Sequence, residues 1–335
     1  MFDDGRRRVV IEGVKPEINC GRFPIKRVVG EKVTVEADIF CDGHDEIAAL
    51  LLYRNGDEET WREVPMLAVG NDRWQGSFIP EKEGTCRYAV EGWADTFRTW
   101  RKDLRKRFEA GQKLDTDLAV GGALLRHAAT LATAEHRELL EKWAQELSAE
   151  GDRTLAARLA LSDDLAALME LYPDRRFATV YDKELTVRVD RKRALFSAWY
   201  EMFPRSTACE PGKHGTFADC ARLLPEIAEM GFDVLYLPPI HPIGKTNRKG
   251  KNNNPSCEPG EPGCPWAIGA EEGGHKALHP DLGTVEDFRR LIALGKQLGV
   301  ELAMDIAYQC APDHPYVAGH KGWFRWRPDG TIQYA

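Results

Sequence analysis

Side chains that can bind a ligand or react with it concentrate in two segments of the second half of the chain. Residues 245–254 form a basic, amide-rich run that contains Lys249 and Lys251. Cations in such a run either bind an anionic group or form a solvated surface loop. Residues 305–315 supply an amide and two carboxylates, which hydrogen-bond to polar ligands. Each segment directly follows an apolar stretch of strand length, so the fold decides whether the two form one site.

Those apolar stretches belong to a repeating strand–helix pattern. Near-continuous apolar strands separated by helices are typical of a parallel sheet covered on both faces. In a (β/α)8 barrel, the loops that follow the strands build the active site. The loop 238–281 is far longer than the usual connection of about 2–6 residues, which favours a functional loop. The sequence predicts strands at 194–203, 232–237 and 300–306, and helices capped by Thr216 and Thr284.

The predicted barrel is incomplete. Such a barrel takes about 250 residues and eight strands, whereas residues 188–335 contain only the first three predicted strands. We therefore expect the N-terminal part of a longer enzyme. Because three parallel strands cannot close on themselves, we also expect this region to be unstable or to associate when it is isolated.

Two further regions precede the barrel. Residues 1–100 contain short runs that alternate apolar and polar residues, such as 32–39, separated by turn sequences. Strands at this spacing predict an immunoglobulin-like β-sandwich. Residues 101–187 are rich in Ala, Glu, Leu and Arg and carry a helical apolar stripe, which predicts a helical domain. The prediction is a multidomain chain: a sandwich at 1–100, a helical insertion at 101–187 and an incomplete (β/α)8 TIM barrel at 188–335.

Composition restricts the partners. The 335 residues are 43% hydrophobic and 30% charged with a net charge of −7, which is typical of a globular protein and disfavours nucleic acid as a partner. Apolar runs stay below the roughly 18 residues of a membrane span, so we expect no membrane partner and a cytoplasmic location. The eight cysteines are widely spread and favour free thiols over a disulfide framework or a zinc site.

Longer motifs resemble a known family. Strand three resembles the first signature of the α-amylase superfamily, glycoside hydrolase family 13, but has Gln309 and Cys310 where that family has Asn and His. This departure argues against an ordinary amylase and fits one branch, the α-1,4-glucan:maltose-1-phosphate maltosyltransferases. The stretches that resemble the superfamily are 200–206, 215–219, 231–240 and 279–284; those that resemble the branch are 8–29, 238–253, 265–269, 272–275 and 309–315.

The resemblance implies a glycosyltransferase. Members transfer a maltosyl unit from α-maltose 1-phosphate to the non-reducing end of an α-1,4-glucan such as glycogen and release phosphate. They retain anomeric configuration by means of a nucleophilic carboxylate and a carboxylic acid roughly 5 Å apart. In the family these groups follow strands four and five, beyond Ala335, so we expect no catalytic residue in this chain and no activity from it alone. The resemblance also implies a homodimer, no cofactor and no metal.

The resemblance assigns three residues to the site. The donor-binding Lys of the branch matches Lys249, although Lys251 is close enough in sequence to compete for the role. The donor-binding Gln matches Gln309, and Asp305 matches an aspartate that supports the site by hydrogen bonding. An ammonium group suits a sugar phosphate, and an amide can both donate to and accept from sugar hydroxyls.

Several alternatives stay open. The chain could belong to another family 13 enzyme that acts on glucan or trehalose, or it could be a non-catalytic glucan-binding or dimerisation module. Trp266 could stack on a sugar ring or anchor the long loop. The histidines of this region suggest a metal site or, more simply, loop packing; they are His241, His275 and His279.

Overall fold

The computed structural model describes residues 5–333. It divides into two compact units, of which the first ends at Leu195 and the second begins at Phe196. Within residues 5–333, no helix is both long enough and apolar enough to cross a membrane.

The described residues of the first unit, 5–195, form ten strands and five α-helices. The strands before the helices are β1 (Val9–Lys15), β2 (Ile25–Val28), β3 (Val33–Cys41), β4 (Ile47–Asn55), β5 (Arg62–Pro65), β6 (Leu67–Gly70), β7 (Arg73–Phe78) and β8 (Gly84–Ala94). The helices are α1 (Thr96–Glu109), α2 (Asp115–Leu131), α3 (Ala134–Ser148), α4 (Arg153–Ala160) and α5 (Asp163–Glu170). Strands β9 (Thr179–Val180) and β10 (Leu185–Asp190) follow them, and a short 3-10 turn spans Lys192–Ala194.

The strands form two sheets around one core. The first sheet has the order β1-β3-β7-β6, and the second has the order β2-β10-β8-β4-β5, with β9 paired to β8. The predicted alternation of residues 32–39 is confirmed, because every second residue of β3 is buried. These side chains pack with Leu51 and Val90 of the second sheet. Such a core forms where every second side chain of each sheet points toward the facing sheet.

Strand β10 returns to the second sheet after all five helices. It pairs in parallel with β2 and antiparallel with β8, so the helices are an insertion between two strands of one sheet. The boundary predicted between residues 187 and 188 falls inside this strand. Val187 and Val189 are both buried in the sheet core, and their alternation with polar residues was a strand signal that the sequence analysis did not use.

The helical insertion has its own core. Leu118, Leu125, Leu140 and Leu147 are completely buried, which confirms the predicted apolar stripe. Helix α1 begins after Asp95, whose side chain accepts a hydrogen bond from the backbone N–H of Arg98 at 2.9 Å. Such N-caps satisfy amides that have no partner within the helix.

The second unit is a small parallel α/β layer. Its elements are β11 (Trp199–Glu201), α6 (Phe217–Glu229), β12 (Val234–Leu237), α7 (Val285–Leu298), β13 (Glu301–Met304) and α8 (Pro315–Gly319). Short 3-10 turns lie at Pro204–Ser206, Lys251–Asn253, Pro280–Leu282 and Lys321–Trp323. The strand order is β11-β12-β13, and both pairings are parallel. The predicted strand–helix alternation of this region is confirmed.

Two predicted strands are shorter than expected. The stretch 194–203 contains only the three-residue β11, because Leu195 and Phe196 are 69% and 80% exposed and do not belong to the sheet. The stretch 300–306 shrinks to β13 for the same reason, since Ile306 is half exposed. A prediction from apolar residue type alone therefore overestimated the length of both strands. The two helix starts are confirmed, and each carries a reciprocal capping box, Thr216 with Asp219 and Thr284 with Asp287.

Candidate functional site

The three parallel strands of the second unit end at one edge of their sheet. Because paired residues run in register from β11 through β12 to β13, the loops that follow them emerge side by side. Asp305 extends this edge, since its backbone N–H donates to the carbonyl oxygen of Leu237 at 2.9 Å. The two segments singled out in the sequence, 245–254 and 305–315, therefore leave neighbouring strands at the same edge.

Trp266 connects two of the predicted site residues. Its indole Nε1–H donates to Asp305 Oδ2 at 2.7 Å, and its carbonyl oxygen accepts from Gln309 Nε2 at 2.9 Å. The ring also meets Phe203 edge to face, with centroids 5.9 Å apart. These contacts anchor the long loop to the segment after β13. Of the two roles considered for Trp266, the anchoring one is observed.

Asp313 connects the basic run 245–254 to the segment 305–315. Its carboxylate accepts hydrogen bonds from the backbone N–H groups of Lys245 and Thr246 at 2.6 and 2.7 Å, and from Thr246 Oγ1 at 2.5 Å. Burial favours the protonated carboxyl, but the bonds from Thr246 and Lys245 outweigh it and lower the pKa of Asp313. Sequence reasoning gave Asp313 no role, although it lies within a motif that was recognised.

Lys249 lies in an irregular stretch of the long loop, just before the 3-10 turn Lys251–Asn253. Its Nζ donates to Asn253 Oδ1 at 2.7 Å, and the side chain is exposed. Gly250 is required there, because a Cβ atom at that position would lie 2.3 Å from the carbonyl oxygen of Ser256. Among the contacts of residues 5–333, none joins Lys249 to Gln309 or to Asp305. The structure thus connects Asp305 and Gln309 through Trp266, whereas Lys249 lies in another part of the long loop and pairs with Asn253.

Two arginines that the sequence analysis did not consider hold the tip of the long loop. Arg205 Nη1 donates to the carbonyl oxygen of Gly263, and Arg248 Nη2 donates to that of Pro262, both at 2.7 Å. Burial lowers the pKa of Arg205, and the neighbouring Arg248 charge acts in the same direction. A signal was present for Arg205, which lies in one of the recognised family stretches.

Buried histidines form a directed hydrogen-bond chain next to this site. His314 Nδ1 accepts from the backbone N–H of Tyr316 at 3.0 Å, so the proton of its neutral ring is on Nε2. That group donates to His275 Nδ1 at 2.9 Å, and His275 Nε2–H donates to the carbonyl oxygen of Ala307 at 2.7 Å. Burial, followed by the charges of His275 and His241, lowers the pKa of His314 to about 4. His314 is therefore neutral at pH 7.

This hydrogen bonding favours loop packing over a metal site. Ligand atoms of His275, Cys310 and His314 lie within 4.8 Å of one another. However, His314 would have to ligate through Nε2, which its bond from Tyr316 keeps protonated. Of the other predicted histidines, His241 donates from Nδ1 to the carbonyl oxygen of Ala277 at 2.9 Å, and His279 Nδ1 accepts from the backbone N–H of Asp281 at 3.3 Å.

The family model and the curated relatives that match this chain carry the same family name. Residues 7–191 match the family model described as α-1,4-glucan:maltose-1-phosphate maltosyltransferase, domain N/S. A protein of that name from Chlorobaculum tepidum is 54% identical over 332 residues, which cover 99% of this chain and 49% of the relative. One from Methylacidiphilum infernorum is 46% identical, with 99% and 50% covered. The chain spans about half the length of the relatives it matches.

Solved structures show a weaker likeness. An α-amylase from Lactobacillus plantarum is 32% identical, with a TM-score of 0.34, and the match covers 41% of this chain and 29% of the amylase. A maltogenic α-amylase from Thermotoga neapolitana is 28% identical, with a TM-score of 0.33, and the match covers 40% and 29% of the two chains.

Proposed function

Because the chain belongs to the α-1,4-glucan:maltose-1-phosphate maltosyltransferase family, we propose that it forms the donor-binding part of such an enzyme. The reaction moves a maltosyl unit from α-maltose 1-phosphate to the non-reducing end of an α-1,4-glucan, with retention of configuration and release of phosphate. The relatives that match almost the whole chain carry the proposal, and the family match over residues 7–191 supports it.

In this proposal, Gln309 and Lys249 contact different parts of the donor. The Gln309 amide lies at the strand ends, where it can hydrogen-bond to sugar hydroxyls, which both donate and accept. The exposed Lys249 ammonium group, in another part of the long loop, binds the phosphate, for which a cation is well suited. Because the two side chains lie on different loops, Gln309 can contact the sugar while Lys249 contacts the phosphate.

Asp305 and Trp266 are positioning residues. Asp305 accepts from the indole N–H, while the carbonyl oxygen of the same tryptophan holds the Gln309 amide. This arrangement fixes the direction of the Gln309 side chain before the sugar arrives, which reduces the entropic cost of binding. Retaining glycosyl transfer also requires a nucleophilic carboxylate and an acid, and we assign neither role to a residue of this chain.

The finer structural assignments are part of the same proposal. Two sheets that share one core support an immunoglobulin-like sandwich, and the parallel order β11-β12-β13 with intervening helices supports the opening of a (β/α)8 barrel. The division at 1–100, 101–187 and 188–335 and the cytoplasmic location remain proposals that rest on the sequence pattern, although the boundary after residue 187 falls inside β10. The homodimer remains a proposal that the family resemblance supports.

Equilibrium binding tests the donor site. We suggest a chimaera in which residues 1–335 replace the matching part of the Chlorobaculum tepidum relative. Replacement of Gln309 by Ala should weaken both maltose and α-maltose 1-phosphate about tenfold in isothermal titration calorimetry, because both ligands lose the same contact to the sugar. Gln112→Ala, at an exposed position of the first unit, is the matched control. Unchanged affinity for both ligands in Gln309→Ala would remove Gln309 from the site.

A further inference from the structure

The stretch between Asp305 and Gln309 has no regular secondary structure. Its side chains at Ile306 and Tyr308 are 49% and 95% exposed, so packing contributes little to its conformation. Irregular segments with few buried contacts open at a low free-energy cost unless hydrogen bonds hold them. Because Asp305 and Gln309 lie at its two ends, the conformation of this stretch decides how the two site residues are placed.

One hydrogen bond holds the middle of the stretch. His275 Nε2–H donates to the carbonyl oxygen of Ala307 at 2.7 Å, and in the described part of the chain residues 306–308 make no other hydrogen bond. The backbone bonds on either side come from the N–H groups of Asp305 and Ala311, at 2.9 and 2.7 Å. His275 therefore supplies the contact that the backbone lacks in between.

The His275 ring is fixed in the orientation and the tautomer that make this bond. Its Nδ1 accepts from His314 Nε2–H at 2.9 Å, which leaves the proton of the neutral His275 ring on Nε2. His314 is fixed in turn by the backbone N–H of Tyr316, which donates to its Nδ1 at 3.0 Å. Both nitrogens of each ring are therefore used, and a flip of either ring would cost two hydrogen bonds.

The long loop closes tightly around His314, whose side chain is 1% exposed. A Cβ atom at Gly269 would lie 2.3 Å from Cδ2 of this histidine, and one at Gly274 would lie 2.1 Å from its Nε2. Glycine at both positions lets the backbone approach the ring, and packing this close holds the ring in place. His275 is thus supported by a rigid neighbour rather than by a mobile surface group.

We propose that His275 is a positioning residue of the donor site: by holding the Ala307 carbonyl oxygen, it fixes the stretch that carries Gln309, and so the direction of the Gln309 amide. The histidine itself contacts no ligand. That Gln309 binds sugar rests on the proposed function, whereas the support of the stretch by His275 rests on the hydrogen bonds of its ring. Without that support, donor binding has to order the stretch, and the entropic cost lowers the affinity.

Hydrogen–deuterium exchange of the chimaera, followed by mass spectrometry, tests the support of the stretch. His275→Leu removes both hydrogen bonds of the ring, so the backbone amides of Asp305 and Ala311 should exchange about fivefold faster, because the irregular segment between them opens more often. The amides of α7 should keep their exchange rates. His275→Gln supplies an N–H donor and an oxygen acceptor and should restore slow exchange. His44→Leu, at an exposed position of the first unit, is the matched control.

Titration of maltose into the same variants by isothermal titration calorimetry tests the effect on donor binding. The affinity should fall about fivefold in His275→Leu and return in His275→Gln, whereas His44→Leu should not change it. Unchanged exchange at Asp305 and Ala311 in His275→Leu would overturn the proposal.

Gln309→Ala, measured alongside, separates this proposal from the proposed function. If Gln309→Ala weakens maltose binding while His275→Leu lowers the melting temperature without any loss of affinity, His275 has a structural role only and the positioning role is wrong. If Gln309→Ala has no effect, the donor site itself is wrong, and the exchange rates alone decide whether His275 supports the stretch.

Discussion

Trp266 shows how one residue can connect two others in the candidate site. The indole N–H and the carbonyl oxygen of the same residue point to Asp305 and to Gln309, respectively. Because the tryptophan belongs to the long loop and the other two residues follow β13, the contacts also fix that loop. Sequence reasoning found all three residues but could not connect them, since a separation of about forty positions carries no geometric information.

The proposed role of Lys249 is best tested by removing its charge and comparing a charged ligand with an uncharged one. In the chimaera, Lys249→Ala should weaken α-maltose 1-phosphate by about 1.5–3 kcal/mol, tenfold or more, because it removes a charge-assisted contact to phosphate. Affinity for uncharged maltose should be unaffected. Both affinities are measurable by isothermal titration calorimetry.

Lys251→Ala is the matched control for that experiment, since Lys251 is an exposed lysine two positions away. The Lys251→Ala chimaera should bind maltose and α-maltose 1-phosphate with the same affinities as the unaltered chimaera. If Lys251→Ala produced the phosphate-specific loss instead, the assignment would pass to Lys251; equal loss of both ligands in Lys249→Ala would contradict a phosphate role.

At the scale of elements, the helix starts were readable because capping depends on local sequence. Thr284 and Asp287 exchange hydrogen bonds at the start of α7, and the bonds from Thr284, followed by that from Arg290, lower the pKa of Asp287 to about 2. A carboxyl whose pKa is lower in the folded state stabilises the fold above its unfolded value, about 3.9. That contribution is lost as the pH falls toward 2.

Asp287→Asn should therefore lower the melting temperature at pH 7, where the aspartate is ionised. The difference from the unaltered chain should shrink as the pH is lowered from 4 to about 2, because protonation then removes the same charge. Thermal melts followed by circular dichroism measure it, with Glu286→Gln, at an exposed neighbouring position, as control. A difference that stays constant with pH would show that the Asp287 charge contributes nothing.

The helical insertion depends on close packing that the sequence did not reveal. A Cβ atom on Gly121 of α2 would lie 2.1 Å from Cζ2 of Trp100. Gly121→Ala should therefore destabilise the protein by about 1–3 kcal/mol through overpacking, although alanine favours helices by nearly 1 kcal/mol. Gly319 of α8 has open space around its Cβ position, so Gly319→Ala should be neutral or slightly stabilising. Urea denaturation measures both; a stabilised Gly121→Ala would refute the tight contact.

At the scale of the whole molecule, the parts that depend on local patterns were predictable and the long-range ones were not. The alternation in β3 and the capping threonines identified their elements correctly. The return of β10 to the sheet of β8 was missed, because about ninety residues, which include five helices and β9, separate the two strands. The hydrogen bonds from Lys245 and Thr246 to Asp313 likewise depend on which distant segments meet.

Phosphate release from α-maltose 1-phosphate, with glycogen as acceptor, tests the central claim most directly. The assay compares the chimaera, the Chlorobaculum tepidum relative and the 335-residue chain alone. We expect the chimaera to release phosphate and lengthen the glucan, and the 335-residue chain to do neither, because retaining transfer needs two catalytic carboxyl groups and we assign neither to a residue of this chain. A chimaera that melts cooperatively yet releases no phosphate while the relative does, or turnover by the 335-residue chain at the rate of the chimaera, would contradict the account.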